Sequence, residues 1–259
     1  MRCGSAGLPT GAMDRGKIKD PNAIAQALKQ LLARTEITET RALVAASDAV
    51  ATFRVLDLPP AATEKEVAAA IARDLPLDPE RMATTWLDLA TTVNHRTVYA
   101  AAWDRSMVKD VTDSIRLAGL DATVVDLKSA CIARAVSEPS CVVLDLSADP
   151  VEIILIDGRV PQLWHTFDLK VSLGEDVAPA LAPPLRSVLR FYRRRQDTSF
   201  GPSSPILISG DQVLPVQVIN RLAELVDQPV LALPAPARVP PHVRHTTYLT
   251  CLGLIMRRA

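Results

Sequence analysis

Two short turns carry the residues best suited to chemistry. The first follows Cys141-Val142-Val143-Leu144-Asp145, an apolar run that ends in a carboxylate; Ser147 to Pro150 turn the chain, and a second apolar run from Val151 to Ile156 stops at Asp157-Gly158. Two Val- and Ile-rich runs of strand length, separated by Ser, Asp and Pro, predict a β-hairpin with Asp145 at its tip. The second turn is Ser209-Gly210-Asp211, at the end of the short apolar run Ile206–Ser209. These two turns are the chain's candidate loops for ligand chemistry. Each turn taken alone is also an ordinary surface turn.

Other catalytic signatures are missing. No G-x-S-x-G elbow, phosphate-binding G-x-x-x-x-G-K-[ST], G-x-G-x-x-G or H-E-x-x-H occurs, which leaves no sequence support for those chemistries. His95, His165, His242 and His245 are scattered, and the last two sit in a Pro-rich stretch without an acidic or thiol neighbour. The last two read as a loop pair without function, and no metal site is expected from them. Asp78 and Glu80 lie beside prolines and read as a turn or helix start rather than as a catalytic pair.

The elements that must hold these turns alternate. Asp20-Pro21 predicts a capped helix start, with Ile24, Leu28 and Leu31 on one face to about Arg34. Strands are expected over residues 42–46 and 50–58, and Thr63-x-x-Glu66 is a capping box that opens a helix ending before Pro76. Strands at 84–89 and 97–103 flank a polar turn, Asp104 caps a helix, and Gly119 ends it. A strand over 122–126 and a short helix over 129–136 lead to the hairpin. Beyond it come a strand over 162–169, a segment without clear pattern up to Pro183-Pro184, and a helix whose inner face is Leu185, Val188, Leu189 and Tyr192. Its outer face is Arg186, Arg190, Arg193 and Arg194, read either as a solvated face at a helix C-terminus or as a basic docking patch. A linker, the strand over 206–209, a helix over 215–226, a strand over 229–233, a Pro-rich loop and a final helix over 247–257 complete the chain. Hairpins among alternating strands and helices predict an α/β fold with mixed sheets.

Composition sets the bounds. The chain has 259 residues, 48% of them hydrophobic, enough for one large domain or two lobes with real cores. Lys+Arg and Asp+Glu balance at 29 each, so net charge gives no argument for nucleic acid or for an acidic membrane surface. Cys3, Cys131, Cys141 and Cys251 form no C-x-x-C pair, and the last three sit in apolar runs. Buried free thiols in a reducing, cytoplasmic setting are the expectation. No apolar run approaches the roughly 20 residues of a membrane span, so membrane association is expected only through a partner.

The ordered set of short motifs resembles the PilM family, actin-like cytoplasmic proteins of type IV pilus assembly more distantly related to FtsA. The matches are Leu8-Pro9-Thr10-Gly11, Gly16-Lys17-Ile18-Lys19-Asp20-Pro21, residues 42–59 as a strand pair ending in Leu-Pro, Ala118-Gly119-Leu120 with Val125-Asp126, the helix Arg186-Ser187-Val188-Leu189-Arg190-Phe191-Tyr192, and Leu252-Gly253-Leu254 with Arg257. The resemblance implies an actin-like ATPase (ribonuclease H-like) fold. Residues 1–60 would form a partial subdomain IA, 61–126 subdomain IC, 127–140 a helix returning to IA, and 141–259 subdomain IIA with a reduced IIB at about 169–200.

The family pattern D-x-G-x-x-x-T would place Asp145 on Mg²⁺ and the following loop on phosphates. Here Ser147 replaces the glycine, Pro150 lacks an N–H, and Val151 replaces the threonine. The adenosine loop L-S-G-G reads Ile208-Ser209-Gly210-Asp211, with a carboxylate for the second glycine. The E-A-E-x-L-K helix of IIB has no counterpart, and the chain enters after the family's first D-x-x-S-S loop, through loss of that hairpin or a start assigned downstream. The implied nucleotide site (Asp145, Ser147, Ser209, Gly210, Asp211) is therefore vestigial: no ATP or Mg²⁺ is expected, with Asp145 the ligand for any Mg²⁺. The expected role is a non-catalytic scaffold that docks the cytoplasmic tail of a PilN-like inner-membrane protein in a groove between IA and IC. An open edge of IA would be covered by a partner segment or by self-association. Alternatives are an actin-like ATPase whose phosphate loop is encoded upstream, and a GspL-like scaffold of type II secretion.

Overall fold

A computed structural model describes residues 2–75, 77–147, 150–170, 176–194, 198–212, 214–236 and 239–257. The chain divides into two compact units, Met1–Lys128 and Ser129–Ala259.

The first unit opens with a hairpin, β1 (Met13–Asp14) and β2 (Lys17–Ile18). Arg15 and Gly16 both have positive φ (46° and 79°), the backbone of a two-residue type I′ turn. Helix α1 (Pro21–Thr35) starts as its cap predicts, with Asp20 Oδ1 accepting from the N–H groups of Asn22 and Ala23 at 3.0 and 3.1 Å. There follow β3 (Arg41–Ala46), β4 (Ala51–Leu58), α2 (Glu64–Asp74), β5 (Met82–Thr91), β6 (Arg96–Asp104), α3 (Arg105–Leu117) and β7 (Asp121–Leu127).

The two strands expected as a pair, β3 and β4, do not pair. Ser47 caps a single 3-10 turn over Asp48–Val50 that redirects the chain. As a result β3 lies parallel to β7, while β4 joins β6 and β5 in an antiparallel sheet of order β4-β6-β5. Helix α2 covers that sheet. Its reciprocal cap is formed, with Thr63 N–H donating to Glu66 at 2.7 Å, and Val67, Ala70 and Ile71 pack on Leu56, Val98 and Ala100.

The second unit carries α4 (Lys128–Ala135), β8 (Cys141–Asp145), β9 (Val151–Asp157), β10 (Val160–Phe167), α5 (Ala178–Tyr192), β11 (Ile206–Ser209), α6 (Val216–Val226), β12 (Val230–Ala232) and α7 (Leu249–Ile255). The strands form one mixed sheet of order β10-β9-β8-β11-β12, antiparallel on the β9 side of β8 and parallel on the β11 side. Side chains alternate across it. Val142, Leu144, Ile153, Leu155, Ile206 and Ile208 share a core with α5 and α6. Cys141, Val143, Ile154, Ile156 and Leu207 share the other with Ile132 and Ala135 of α4 and Leu249 of α7.

Two expectations are corrected here. Helix α5 begins at Ala178 and runs through Pro183-Pro184 instead of starting after them. Each proline removes one helical hydrogen bond, at a cost of about 3 kcal/mol in a helix interior. Yet Leu181, Leu185, Val188 and Leu189 are all buried, and at about 2 kcal/mol each their burial outweighs it. The carbonyls freed are those of Pro179 and Ala180, and Pro179 is exposed to solvent. Among the cysteines, Cys131 and Cys141 are buried, but Cys251 is exposed on α7. Gly253 lets α7 approach α4 closely: a Cβ there would stand 1.7 Å from the Cys131 carbonyl oxygen.

Candidate functional site

The sheet of the second unit brings the two sequence-predicted turns together. Strands β8 and β11 are parallel neighbours in register, with Asp145 opposite Ser209, so both turns leave the same, carboxyl end of the sheet. That end is where open α/β sheets bind ligands.

The first turn is folded back on its own carboxylate. Ser147 donates to Asp145 Oδ1 through its backbone N–H at 3.0 Å and through its hydroxyl at 2.6 Å. Asp145 is only 4% exposed. Val151, which stands at the threonine position of the resembled motif, points into the α5–α6 core and is buried. Pro150 offers no N–H; Ala148 and Asp149 lie outside the described residues.

The second turn is packed against the first. Leu146 N–H donates to the Ser209 carbonyl at 2.9 Å. Gly210 has φ +115°, and a Cβ there would stand 2.6 Å from the Ser147 nitrogen and 2.7 Å from the Leu146 carbonyl carbon. Only glycine fits, on both counts. The Pro-rich loop then covers this turn: Ser209 Oγ and Gly210 N–H both donate to the Thr246 carbonyl, at 3.0 and 3.1 Å, and Arg244 donates to the Asp211 carbonyl at 3.2 Å. Asp211 stays exposed. His245, which sequence reasoning left in a loop, lies 2.9 Å from the Leu233 carbonyl, and His242 is exposed.

Two buried carboxylates of this sheet were not singled out by sequence. Glu152 pairs with Asp145 across β8 and β9 and is 8% exposed; cross-strand partners share a face, so both project to the same side. Asp157, at the other end of β9, accepts from Ser140 (2.8 Å), Tyr192 (3.0 Å), Thr198 (2.6 Å) and the Ser199 N–H (3.2 Å). Burial pushes its carboxyl up, but the hydrogen bonds from Ser199, Thr198, Ser140 and Tyr192 outweigh it and hold the group below the usual range. Its role is to tie α5 and the segment after it to the sheet.

The first unit has a cavity of about 240 Å³. Val50 and Thr52 line one side, Arg81 and Met82 the other, with Asp104 and Met107 at the start of α3. Asp104 caps α3 by accepting from the Ser106 N–H and hydroxyl at 2.9 and 2.6 Å, and Arg81 reaches its other oxygen at 2.7 Å. The Ser106 hydroxyl, the Ser106 N–H and Arg81 lower its carboxyl to about 2 against a smaller upward push from burial.

Among the described residues no group of three or more His, Cys, Asp or Glu could hold a metal ion, and no helix is long and apolar enough to cross a membrane.

Compared with known proteins, the sequence matches no family model and no curated protein. The structure does match. A chain of a PilM-PilN type IV pilus biogenesis complex superposes with a TM-score of 0.74 over 98% of this chain and 90% of that one, at 20% identity. The fold is that of the actin-like ATPases. The cytoplasmic domain of EpsL, an inner-membrane component of the type II secretion system of Vibrio cholerae, matches with a TM-score of 0.54 over 91% of this chain and 82% of that one, at 12% identity. At these identities the likeness is one of fold.

Proposed function

We propose that this chain is a non-catalytic, actin-like scaffold of the PilM type in type IV pilus assembly, held at the cytoplasmic face of the inner membrane by the tail of a PilN-like partner. The observation that carries the reading is the contact between the two turns. Gly210 sits so close to Ser147 that a single carbon would collide, and the donors of Ser147, Ser209 and Gly210 are spent on Asp145 and Thr246. These residues do not fit a magnesium nucleotide. The N–H groups of Leu146, Ser147 and Gly210 and the hydroxyls of Ser147 and Ser209 are already bonded within the protein, and phosphoryl transfer depends on such positioning. The reading therefore contains no phosphoryl step.

The superposition with a chain of a PilM-PilN complex supports a partner of the PilN kind. The first-unit cavity is our candidate for the dock, because it joins the 3-10 turn before β4 to the starts of β5 and α3. Its half-buried Met82 and Met107 give an adaptable apolar floor, and the Arg81–Asp104 pair gives a polar rim. Titration of the chain with a synthetic peptide of the partner's cytoplasmic tail tests this: saturable heat in the micromolar range is expected. No heat at high micromolar peptide sinks the reading.

The likeness to the EpsL domain favours a second reading, a scaffold of type II secretion. The same titration separates the two when run against tails from both kinds of machine.

A further inference from the structure

Helix α5 and the turn that ends it gather four arginines at the edge of one cavity. Its buried face is Leu185, Val188, Leu189 and Tyr192; Arg186 and Arg190 on the helix and Arg193 and Arg194 in the turn that ends it, spaced four, seven and eight residues on, are exposed together along the flank of that face. They line a cavity of about 370 Å³ whose floor is Leu189 and Val226.

Among the described residues no carboxylate neutralises the charge there. Arg186 reaches the Leu225 carbonyl at 3.5 Å, and Arg193 donates to the side-chain oxygen of Gln228. Among the described residues Arg190 and Arg194 make no side-chain hydrogen bond or ion pair, and Glu224 and Asp227 form no ion pair with any of the four. The C-terminal ends of α5 and α6 approach here and favour cations. Each helix end, however, is worth about half a negative charge, so together they offset about one of the four positive ones. Whole-chain neutrality conceals this segregation.

Phe191 follows Arg190 in sequence and is 63% exposed on α5. Guanidinium forks bind phosphate oxygens in pairs, and an exposed ring beside them can enter the acyl boundary. We propose that this arginine-lined face of the second unit seats on anionic phospholipid headgroups, with the arginines on their phosphates and Phe191 in the interface. The site lies wholly in the second unit, and its test contains no protein partner. The two proposals therefore fail separately.

The test is co-sedimentation of the full chain with vesicles of phosphatidylcholine alone or mixed with phosphatidylglycerol, comparing wild type, Arg190→Glu/Arg194→Glu, and an Arg105→Glu control with its charge change elsewhere. Circular dichroism checks that each folds. Binding to the anionic vesicles only is expected, weakened by rising salt and by roughly thirty-fold or more in the double variant, with the control unchanged. Equal binding to both vesicles, no binding to either, or an unaffected double variant overturns the proposal. So does tight binding of a polyglutamate peptide through the same arginines without vesicle binding, which would assign the face to an acidic protein.

Discussion

Ser209 lies opposite Asp145 in the parallel register of β11 and β8, and one residue further Gly210 rests on the backbone of Ser147. The carboxyl end of the sheet is thus filled by the protein's own atoms. Gly210→Ala combines a collision with a strained φ, so a loss of about 1–3 kcal/mol is expected on chemical unfolding. An unchanged midpoint would mean that the two turns are not held together.

Asp157 joins β9 to Tyr192 of α5 and to Thr198 and Ser199 beyond it. Asp157→Ala removes a buried acceptor from several donors at once, and hydrogen bonds to a charged group contribute about 1.5–3 kcal/mol each. A loss of about 3 kcal/mol or more is expected, by urea titration followed by circular dichroism. Because the folded carboxyl is held low, its contribution is present above the ordinary carboxylate range and is lost as pH falls through and below that range.

Asp104 makes the same argument with a defined window. Its folded value of about 2 lies below the ordinary 3.8, so its stabilisation is complete above about pH 4 and disappears as pH falls towards 2. Asp104→Ala should cost about 1–2 kcal/mol, mostly through the lost α3 cap, because Arg81 is 67% exposed and its pair adds little. The acid limb of the stability curve should also flatten in the variant. A variant as stable as wild type at pH 7 would remove Asp104 from any structural role.

Met107 is half-buried in the first-unit cavity. Met107→Glu should weaken the tail peptide at least ten-fold by calorimetry with little change in melting temperature. Unchanged affinity would move the dock elsewhere.

Thiol labelling checks the packing independently. Burial, and after it Glu138, pushes the Cys141 thiol up to about 12, and Cys131 is buried as well. In the native protein only Cys3 and Cys251 should react with an aromatic disulfide reagent, and all four should react in denaturant.

The sequence was most legible where the signal is local. Asp20, Thr63 and Asp104 cap the helices they announce, and the hairpin around Asp145 forms between the expected runs. What it did not reveal depends on distant partners. The separate pairing of β3 and β4 is decided by β7 and β6, and the helix through Pro183-Pro184 by the burial of Leu181 and Leu185. Asp157 reads as a strand end because its donors lie between 17 and 42 residues away. The placement of Asp145 beside Ser209 could be read from strand ends in one half. That Thr246 and Arg244 would occupy the second turn could not, since nothing in the Pro-rich loop marks its destination.

Calorimetric titration of the full chain with magnesium ATP up to millimolar concentration tests the central claim most directly. A closed pair of turns predicts no saturable heat with or without magnesium. Saturable, magnesium-dependent binding in the micromolar range would contradict it.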